Sequence, residues 1–139
     1  MTKIHLNWIG GEQVSAATAA PNVNPSDTAD IVGDFARADA AQAIEAIAAA
    51  RAAFPSWSRS TPQQRFDLLD RAGTLIHERR AQLGELLARE EGKTLAEATG
   101  EVVRAAQIFK FFAGEALRPG GEAMPSVRPG VDVEISLEP

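Results

Sequence analysis

The sequence contains no cysteine among its 139 residues. A disulfide scaffold, a thiolate metal site and a cysteine nucleophile are therefore excluded within this chain. It also lacks a glycine-rich phosphate turn between a strand and a helix, and no Ser/His/Asp set stands out. His5 and His77 have no partner at a metal-ligand spacing, so we interpret both as surface residues. The residues alone thus suggest no catalytic group.

Positive charge and long apolar runs are scarce as well. The net charge is −5 at pH 7 and the basic residues are scattered, so nothing favours nucleic acid or an anionic membrane as a partner. The longest low-polarity run, Ala46–Ala53, is interrupted by Arg51 and is far too short to span a bilayer. No apolar segment of a secretory signal follows Met1. We therefore expect a cytoplasmic protein with an ordinary folded core.

The first residues predict a β-hairpin. Apolar and polar residues alternate over Ile4–Trp8, which indicates a half-buried strand. Gly10-Gly11 supplies a two-residue turn, and Gln13-Val14 begins a return strand. The segment after the hairpin is predicted to be a loop, a turn and a short strand, in that order: Ser15–Ala20, Asn24–Asp27 and Ala29–Ala36.

Capping residues predict where the first helices begin and end. Asp39, followed by Gln42, is a candidate capping box for a helix that continues through Phe54 and is ended by Pro55. A second helix begins at Thr61-Pro62. Two offset apolar stripes predict a break at residues 79–81 that divides this segment into two helices.

The last predicted helix is the longest. Gly92 ends the helix before it, and Thr94 with Glu97 forms a second candidate capping box. Arg118-Pro119-Gly120-Gly121 stops the helix. Its apolar residues recur every three or four positions and predict one buried stripe: Leu95, Ala98, Val102, Ala105, Phe109, Phe112 and Ala116.

Residues Val131–Leu137 alternate cleanly and predict a strand with one buried face. No neighbouring segment has a comparable alternation. The sequence therefore predicts that the partner of this strand lies outside the chain.

Three stretches resemble one enzyme family. The segment Arg89–Arg118 resembles the E-x-G-K turn and following helix of NAD(P)-dependent aldehyde dehydrogenases. Trp8–Glu12 is similar to their x-I-N-G-E opening, and Val23–Asp27 to their V-x-N-P-x-T turn. The resemblance runs from Trp8 to Pro139. From Arg89 onward, including Ser126–Glu134, it is nearest to α-ketoglutaric semialdehyde dehydrogenases.

The resemblance implies a predominantly helical α/β fragment with an N-terminal hairpin, about four helices and a terminal strand. Residues 1–118 would be the N-terminal part of the cofactor-binding domain, and residues 119–139 the start of the oligomerisation arm. The catalytic cysteine, the general-base glutamate, the oxyanion-hole asparagine and the NAD(P)-binding strands of the family all lie further along. This chain alone is therefore expected to be inactive and to bind neither NAD nor NADP.

The resemblance also suggests supporting sites. Gly100 and Arg104 would border the aldehyde channel, where Arg104 would suit a substrate with a remote carboxylate. Alternatively, Arg104 pairs with Glu97 or Glu101 on the solvent side. Val32 and Glu90 correspond to the monovalent-cation ligands of some members, although Glu90 could equally be a solvated charge at a helix end.

Assembly is the remaining question. The resemblance implies a homo-oligomer, and Val131–Leu137 could mediate self-association of the chain. An alternative is a free-standing helical interaction module without enzymatic activity, because every catalytic residue is absent. A piece of a larger enzyme should expose extensive apolar surface, whereas an independent module should have charged or covered edges.

Overall fold

The computed structural model describes residues 4–118 and 120–137. Within these ranges the chain forms seven strands and four helices, which confirms the predominantly helical α/β fold. In chain order they are β1 (Ile4–His5), β2 (Asn7–Ile9), β3 (Glu12–Val14), β4 (Thr18–Val23), β5 (Ile31–Arg37), α1 (Ala40–Trp57), α2 (Pro62–Glu78), α3 (Arg80–Glu91), α4 (Leu95–Glu115), β6 (Gly121–Pro125) and β7 (Asp132–Ser136).

The N-terminal hairpin is confirmed. Strands β2 and β3 pair antiparallel, with Trp8 opposite Gln13. Gly10 and Gly11 have φ angles of 62° and 86°, the left-handed conformation that a two-residue hairpin turn needs at both central positions. The predicted single strand Ile4–Trp8 is wrong, however, because it is interrupted at Leu6 and β1 pairs in parallel with β5 instead.

Strand β5 lies in the centre of a three-stranded sheet with the order β1-β5-β4. The strand predicted at Ala29–Ala36 is thus confirmed as β5. The loop predicted at Ser15–Ala20 is wrong in its second half, since Thr18 begins β4 and pairs antiparallel with Arg37. Pairing with β5 overrides the weak strand preference of these small residues.

Helix α1 begins as predicted and ends later than predicted. The Asp39 carboxylate accepts a hydrogen bond from the Gln42 backbone N–H at 2.9 Å. The Gln42 side chain donates to the Ser15 carbonyl at 2.6 Å, so the cap lacks the reciprocal bond of a capping box. The helix passes through Pro55 to Trp57, because a proline in the last turn removes only one hydrogen bond from the helix end.

The caps of α2, α3 and α4 are confirmed. Thr61 and Thr94 each accept a bond from the backbone N–H three residues on, and the side chains of Gln64 and Glu97 reach back to the cap N–H groups. The predicted break falls at Arg79. Gly92 ends α3 with φ 69°, in the left-handed conformation that favours glycine.

The core lies where α4 packs against α2 and α3. Among the described residues, the buried hydrophobic side chains all belong to one side of α4: Ala98, Val102, Ala106 and Ala113. The predicted stripe is correct for Ala98 and Val102, but it is wrong for Leu95, Phe109 and Phe112, which are 58%, 37% and 55% exposed. Small residues replace the expected aromatic ones because the helices approach very closely. A Cβ at Gly84 would lie 2.5 Å from Thr99 Oγ1, and one at Gly73 would lie 2.9 Å from the Ala106 carbonyl oxygen.

The predicted terminal strand is confirmed as β7, but its partner lies within the chain. Strand β6 pairs antiparallel with β7, with Gly121 opposite Ser136 and Pro125 opposite Asp132. The expectation that β7 has no partner within the chain is therefore wrong. Sequence reasoning missed β6 because Gly121–Pro125 has turn-forming residues at both ends and no clear alternation. All described residues of β7 are exposed, so the predicted buried face is uncovered. Pro119 of the predicted helix stop, and Glu138-Pro139, lie outside the described residues.

Candidate functional site

Arg104 borders an open cavity on the outer side of α4. The cavity has a volume of about 340 Å³ and is lined by Arg104, Gln107, Ile108, Phe111 and Phe112. The aromatic rings of Phe111 and Phe112 meet edge to face, with centroids 5.3 Å apart. A guanidinium beside an apolar floor can bind a ligand that has an apolar chain and a carboxylate at one end.

The two acidic residues considered as alternative partners of Arg104 have other contacts. Glu101 accepts hydrogen bonds from Lys93 Nζ at 2.7 Å and 2.8 Å, and this contact raises the pKa of Lys93. Glu97 accepts a bond from the Thr94 hydroxyl at 2.7 Å, which lowers the pKa of Glu97. Within residues 4–118 and 120–137, no hydrogen bond or ion pair of Arg104 is found. Its charge therefore faces the cavity and solvent.

Gly100 lies one helical turn before Arg104 on the same side of α4. It is exposed, and a Cβ built on it would meet no atom within 4 Å. Its side of the helix is therefore open, although Gly100 itself is not part of the cavity lining.

The structure brings Glu90 to the sheet that carries Val32. Glu90 lies at the end of α3, and its carboxylate accepts a hydrogen bond from Asn22 Nδ2 at 3.0 Å. Asn22 on β4 is paired with Gly33, the residue after Val32 on β5. No cluster of three or more His, Asp or Glu residues able to hold a metal occurs in the part of the chain that is described. The cation site at Val32 and Glu90 stays a prediction.

A second contact between the sheet and α3 was missed by sequence reasoning. Arg89 donates two hydrogen bonds to Asp30, from Nε at 2.8 Å and from Nη2 at 2.6 Å. Asn24 Nδ2 adds a third bond to Asp30 at 3.1 Å. The Arg89 hydrogen bond, together with that of Asn24, lowers the pKa of Asp30 to about 2. We call Asp30 and Arg89 the sheet–helix clamp.

The turn before β5 strengthens the same junction. Ser26 Oγ donates a hydrogen bond at 2.9 Å to the carbonyl of Gly92, the glycine that ends α3. The predicted turn at Asn24–Asp27 thus contacts the E-E-G-K segment directly. No local sequence signal pairs these residues, because Asp30 and Arg89 are 59 positions apart.

None of the helices in the described ranges is both long enough and apolar enough to cross a bilayer.

Residues 8–139 match the model of the aldehyde dehydrogenase family. The chain is 33% identical to α-ketoglutarate semialdehyde dehydrogenase of Haloferax volcanii, an alignment that covers 100% of this chain and 29% of that protein. It is 34% identical to α-ketoglutaric semialdehyde dehydrogenase of Bacillus subtilis, covering 88% of this chain and 25% of that protein.

The fold is similar to that of solved structures. Betaine aldehyde dehydrogenase from Staphylococcus aureus, solved in complex with NAD+, superimposes with a TM-score of 0.89 at 30% identity. The match covers 95% of this chain and 27% of that structure. An NAD-dependent aldehyde dehydrogenase from Sinorhizobium meliloti gives a TM-score of 0.85 at 28% identity, covering 92% of this chain and 26% of that one. The chain thus spans about a quarter of the length of the proteins it matches.

Proposed function

Because the chain belongs to the aldehyde dehydrogenase family, we propose that it is the N-terminal segment of an enzyme that oxidises an aldehyde to the acid with NAD or NADP. The observation that carries this proposal is the family match over residues 8–139. Residues 1–118 would form the outer part of the cofactor-binding domain and residues 119–139 the start of the oligomerisation arm. A cytoplasmic location stays a prediction from the sequence.

The substrate we propose is a semialdehyde with a remote carboxylate. Arg104 would bind that carboxylate through charge-assisted hydrogen bonds, while Ile108 and Phe111 contact the carbon chain. The relatives from Haloferax volcanii and Bacillus subtilis are named as dehydrogenases of such a semialdehyde. Their names support the proposal. The rest of the enzyme would supply the nucleophile, the general base and the nicotinamide site.

The alternative of an independent interaction module is less consistent with the exposed surface. Large apolar side chains are uncovered on α1, on α4 and on β7, as shown by Ile47 at 69%, Phe111 at 62% and Ile135 at 49% exposure. Apolar surface on this scale indicates contact with further polypeptide.

The first test is the intact mass of the protein isolated from its source cells. A mass well above 14.8 kDa, or a stable complex with a second polypeptide, is expected. The isolated 139-residue chain should form no NADH or NADPH from aldehydes, as measured by absorbance, whereas the complete protein should. Absence of activity with every aldehyde in the complete protein would refute the proposed function.

Substitution of Arg104 tests the substrate class. In the complete enzyme, Arg104→Gln should lower kcat/KM for α-ketoglutarate semialdehyde by about 10-fold to 100-fold, because a hydrogen bond to a charged group is lost. Propanal, which has no carboxylate, should be oxidised at an unchanged rate. Arg51→Gln on α1 is the matched control and should alter neither substrate. Equal losses for both substrates would show that Arg104 does not read the carboxylate.

Self-association should depend on the terminal hairpin. Strand β7 has one edge paired with β6, and no partner for its other edge is found in the described part of the chain. Light scattering of the isolated chain should therefore detect oligomers, and Ile135→Lys should shift them toward monomer by placing a charge on the exposed strand. Glu134→Lys, on the opposite face of β7, is the control. A monomer for the unmodified chain would contradict this prediction.

A further inference from the structure

Lys93 lies in the turn between α3 and α4 and contacts a carboxylate on each side of it. Its Nζ forms an ion pair with Glu91 at the end of α3, and it donates to both carboxylate oxygens of Glu101 on α4, at 2.7 Å and 2.8 Å. The Lys93 side chain is only 22% exposed. The hydrogen bonds to Glu101 and Glu91 raise the pKa of Lys93, so its ammonium group keeps its charge. Glu101 is therefore held toward the turn that precedes α4.

Glu101 is also the acidic residue nearest to Arg104 along α4, three positions before it. Residues three positions apart are neighbours on a helix surface, and a glutamate on the N-terminal side of a basic residue forms a favourable pair with it. A Glu101 without another partner would thus compete for the guanidinium of Arg104. Residues 4–118 and 120–137 contain no ion pair of Arg104, whereas Glu101 is paired with Lys93.

The other acidic residue that precedes Arg104 on α4 is occupied in the same way. Glu97 accepts hydrogen bonds from the hydroxyl and the backbone N–H of Thr94, at 2.7 Å and 3.3 Å, in the capping box that begins the helix. It lies two helical turns from Arg104, too far to replace Glu101 as a direct neighbour. The contact between Lys93 and Glu101 is therefore the one that leaves the Arg104 charge available at the cavity of about 340 Å³.

We propose that Lys93 is a positioning residue for substrate selectivity, which keeps Glu101 from pairing with Arg104 so that the guanidinium binds the substrate carboxylate. This inference rests on the proposed function. An unrestrained Glu101 would act twice against such a substrate, because it would occupy the guanidinium and repel the incoming carboxylate. An aldehyde without a carboxylate does not use the charge of Arg104, so its oxidation does not depend on Lys93. Lys93 thus favours one kind of aldehyde without touching it.

The test is a double-substitution cycle in the complete enzyme. Lys93→Gln should raise KM for α-ketoglutarate semialdehyde by about 2-fold to 5-fold with kcat unchanged, because one ion pair near a surface then competes with the substrate. Oxidation of propanal should not change. Adding Glu101→Gln to Lys93→Gln should restore the original KM, since the competing group is then neutral. Lys93→Arg, which keeps a cation beside Glu101, should retain the KM of the unmodified enzyme.

Lys110→Gln is the control for a purely structural loss. Lys110 also joins α4 to a neighbouring helix, through its ion pair with Asp70 on α2. Its substitution should lower Tm and leave KM for both aldehydes unchanged. If Lys93→Gln impairs both aldehydes equally, or if Glu101→Gln does not restore the KM, Lys93 only stabilises the turn and the inference is overturned.

Glutarate, a dicarboxylate without an aldehyde group, separates this inference from the proposed function. Calorimetry of the complete protein should show that Lys93→Gln weakens glutarate binding by about the same factor and that the double variant recovers it. A protein that shows this pattern but oxidises no aldehyde would refute the proposed function and leave the role of Lys93 standing. Semialdehyde oxidation with unchanged KM and glutarate affinity in Lys93→Gln would overturn the role of Lys93 alone. Absence of both oxidation and glutarate binding would overturn both.

Discussion

The layer formed by α2, α3 and α4 differs sharply from the region around α1, although both contain alanine-rich amphipathic helices. Helix α4 buries four hydrophobic residues, whereas α1 buries none. Helix α1 is held to the hairpin region by polar contacts, such as the hydrogen bond from Gln42 to the Ser15 carbonyl, and by the approach of Gly10 to Ala49. A helix pattern therefore specifies an apolar side, but a neighbouring element must be present before that side is buried.

Helices α2 and α3 pack closely against α4 because each has a glycine that faces it. Gly73 and Gly84 leave room for the Ala106 carbonyl and for Thr99. Lys110 reinforces the α2–α4 contact by donating hydrogen bonds to Asp70 at 2.7 Å and to Thr74 at 2.9 Å. No comparable set of contacts fastens α1 within the described residues. We expect the two regions to respond very differently to substitution.

The largest effect is expected from enlarging a glycine inside the layer. Gly84→Leu should lower the free energy of unfolding of the isolated chain by about 3 kcal/mol, because the side chain overpacks the α3–α4 contact. Urea denaturation measures this change. Gly114→Leu is the matched control and should be neutral or stabilising, since its side chain enters open space. Equal destabilisation by both substitutions would contradict the difference between the two sides of α4.

A smaller effect is expected at the sheet–helix clamp, with a distinct pH dependence. The pKa of Asp30 in the folded chain, about 2, lies below its ordinary value of 3.8. Ionised Asp30 therefore stabilises the fold above about pH 4, and this contribution is lost as the pH falls toward 2. Asp30→Asn should be less stable than the unmodified chain at pH 7 and should lose less stability between pH 4 and pH 2.

Urea denaturation at pH 7, 4 and 2 measures the contribution of the clamp. Glu45→Gln, an exposed carboxylate on α1, is the control and should follow the unmodified chain at each pH. If Asp30→Asn loses as much stability below pH 4 as the unmodified chain, the contact with Arg89 does not stabilise the fold.

The smallest effect is expected on α1. Ile47 is 69% exposed, so Ile47→Lys should change the free energy of unfolding of the isolated chain by less than about 0.5 kcal/mol. Val102→Lys, which places an ammonium group in the layer, should be strongly destabilising. In the complete protein, Ile47→Lys should become destabilising if α1 is covered there. Thermal unfolding of both forms measures the difference.

Local structure was largely predictable from the sequence. The helix beginnings at Asp39, Thr61 and Thr94 follow from side chains that bond backbone groups three residues away. The stop at Gly92 and the hairpin turn at Gly10-Gly11 follow from the left-handed backbone that glycine adopts easily. The clearest local error is the end of α1, where Pro55 was expected to stop the helix. A proline in the last turn removes one hydrogen bond only, and the helix continues past it, with the Ser58 N–H donating to the Phe54 carbonyl at 2.8 Å.

The candidate site was predictable only in part. Helix periodicity places Gly100 and Arg104 on one side, and the structure shows that this side is open and borders a cavity. The proposal that this side forms a substrate wall comes from the family resemblance and not from periodicity. The contact of Glu90 with Asn22 and the clamp of Arg89 with Asp30 join residues 68 and 59 positions apart, and no local pattern encodes them.

By itself, the sequence determined the helix boundaries set by caps, the hairpin turn and the family, because each depends on residues close together in the chain or on their order. Only the tertiary structure decided which residues on the apolar side of α4 are buried, which strands pair with β5 and β7, and how α3 is fastened to the sheet. The physical reason is that these outcomes depend on which distant surfaces meet. Gly73 and Gly84 illustrate it, since two residues that merely weaken a helix in the sequence are the points at which the core closes.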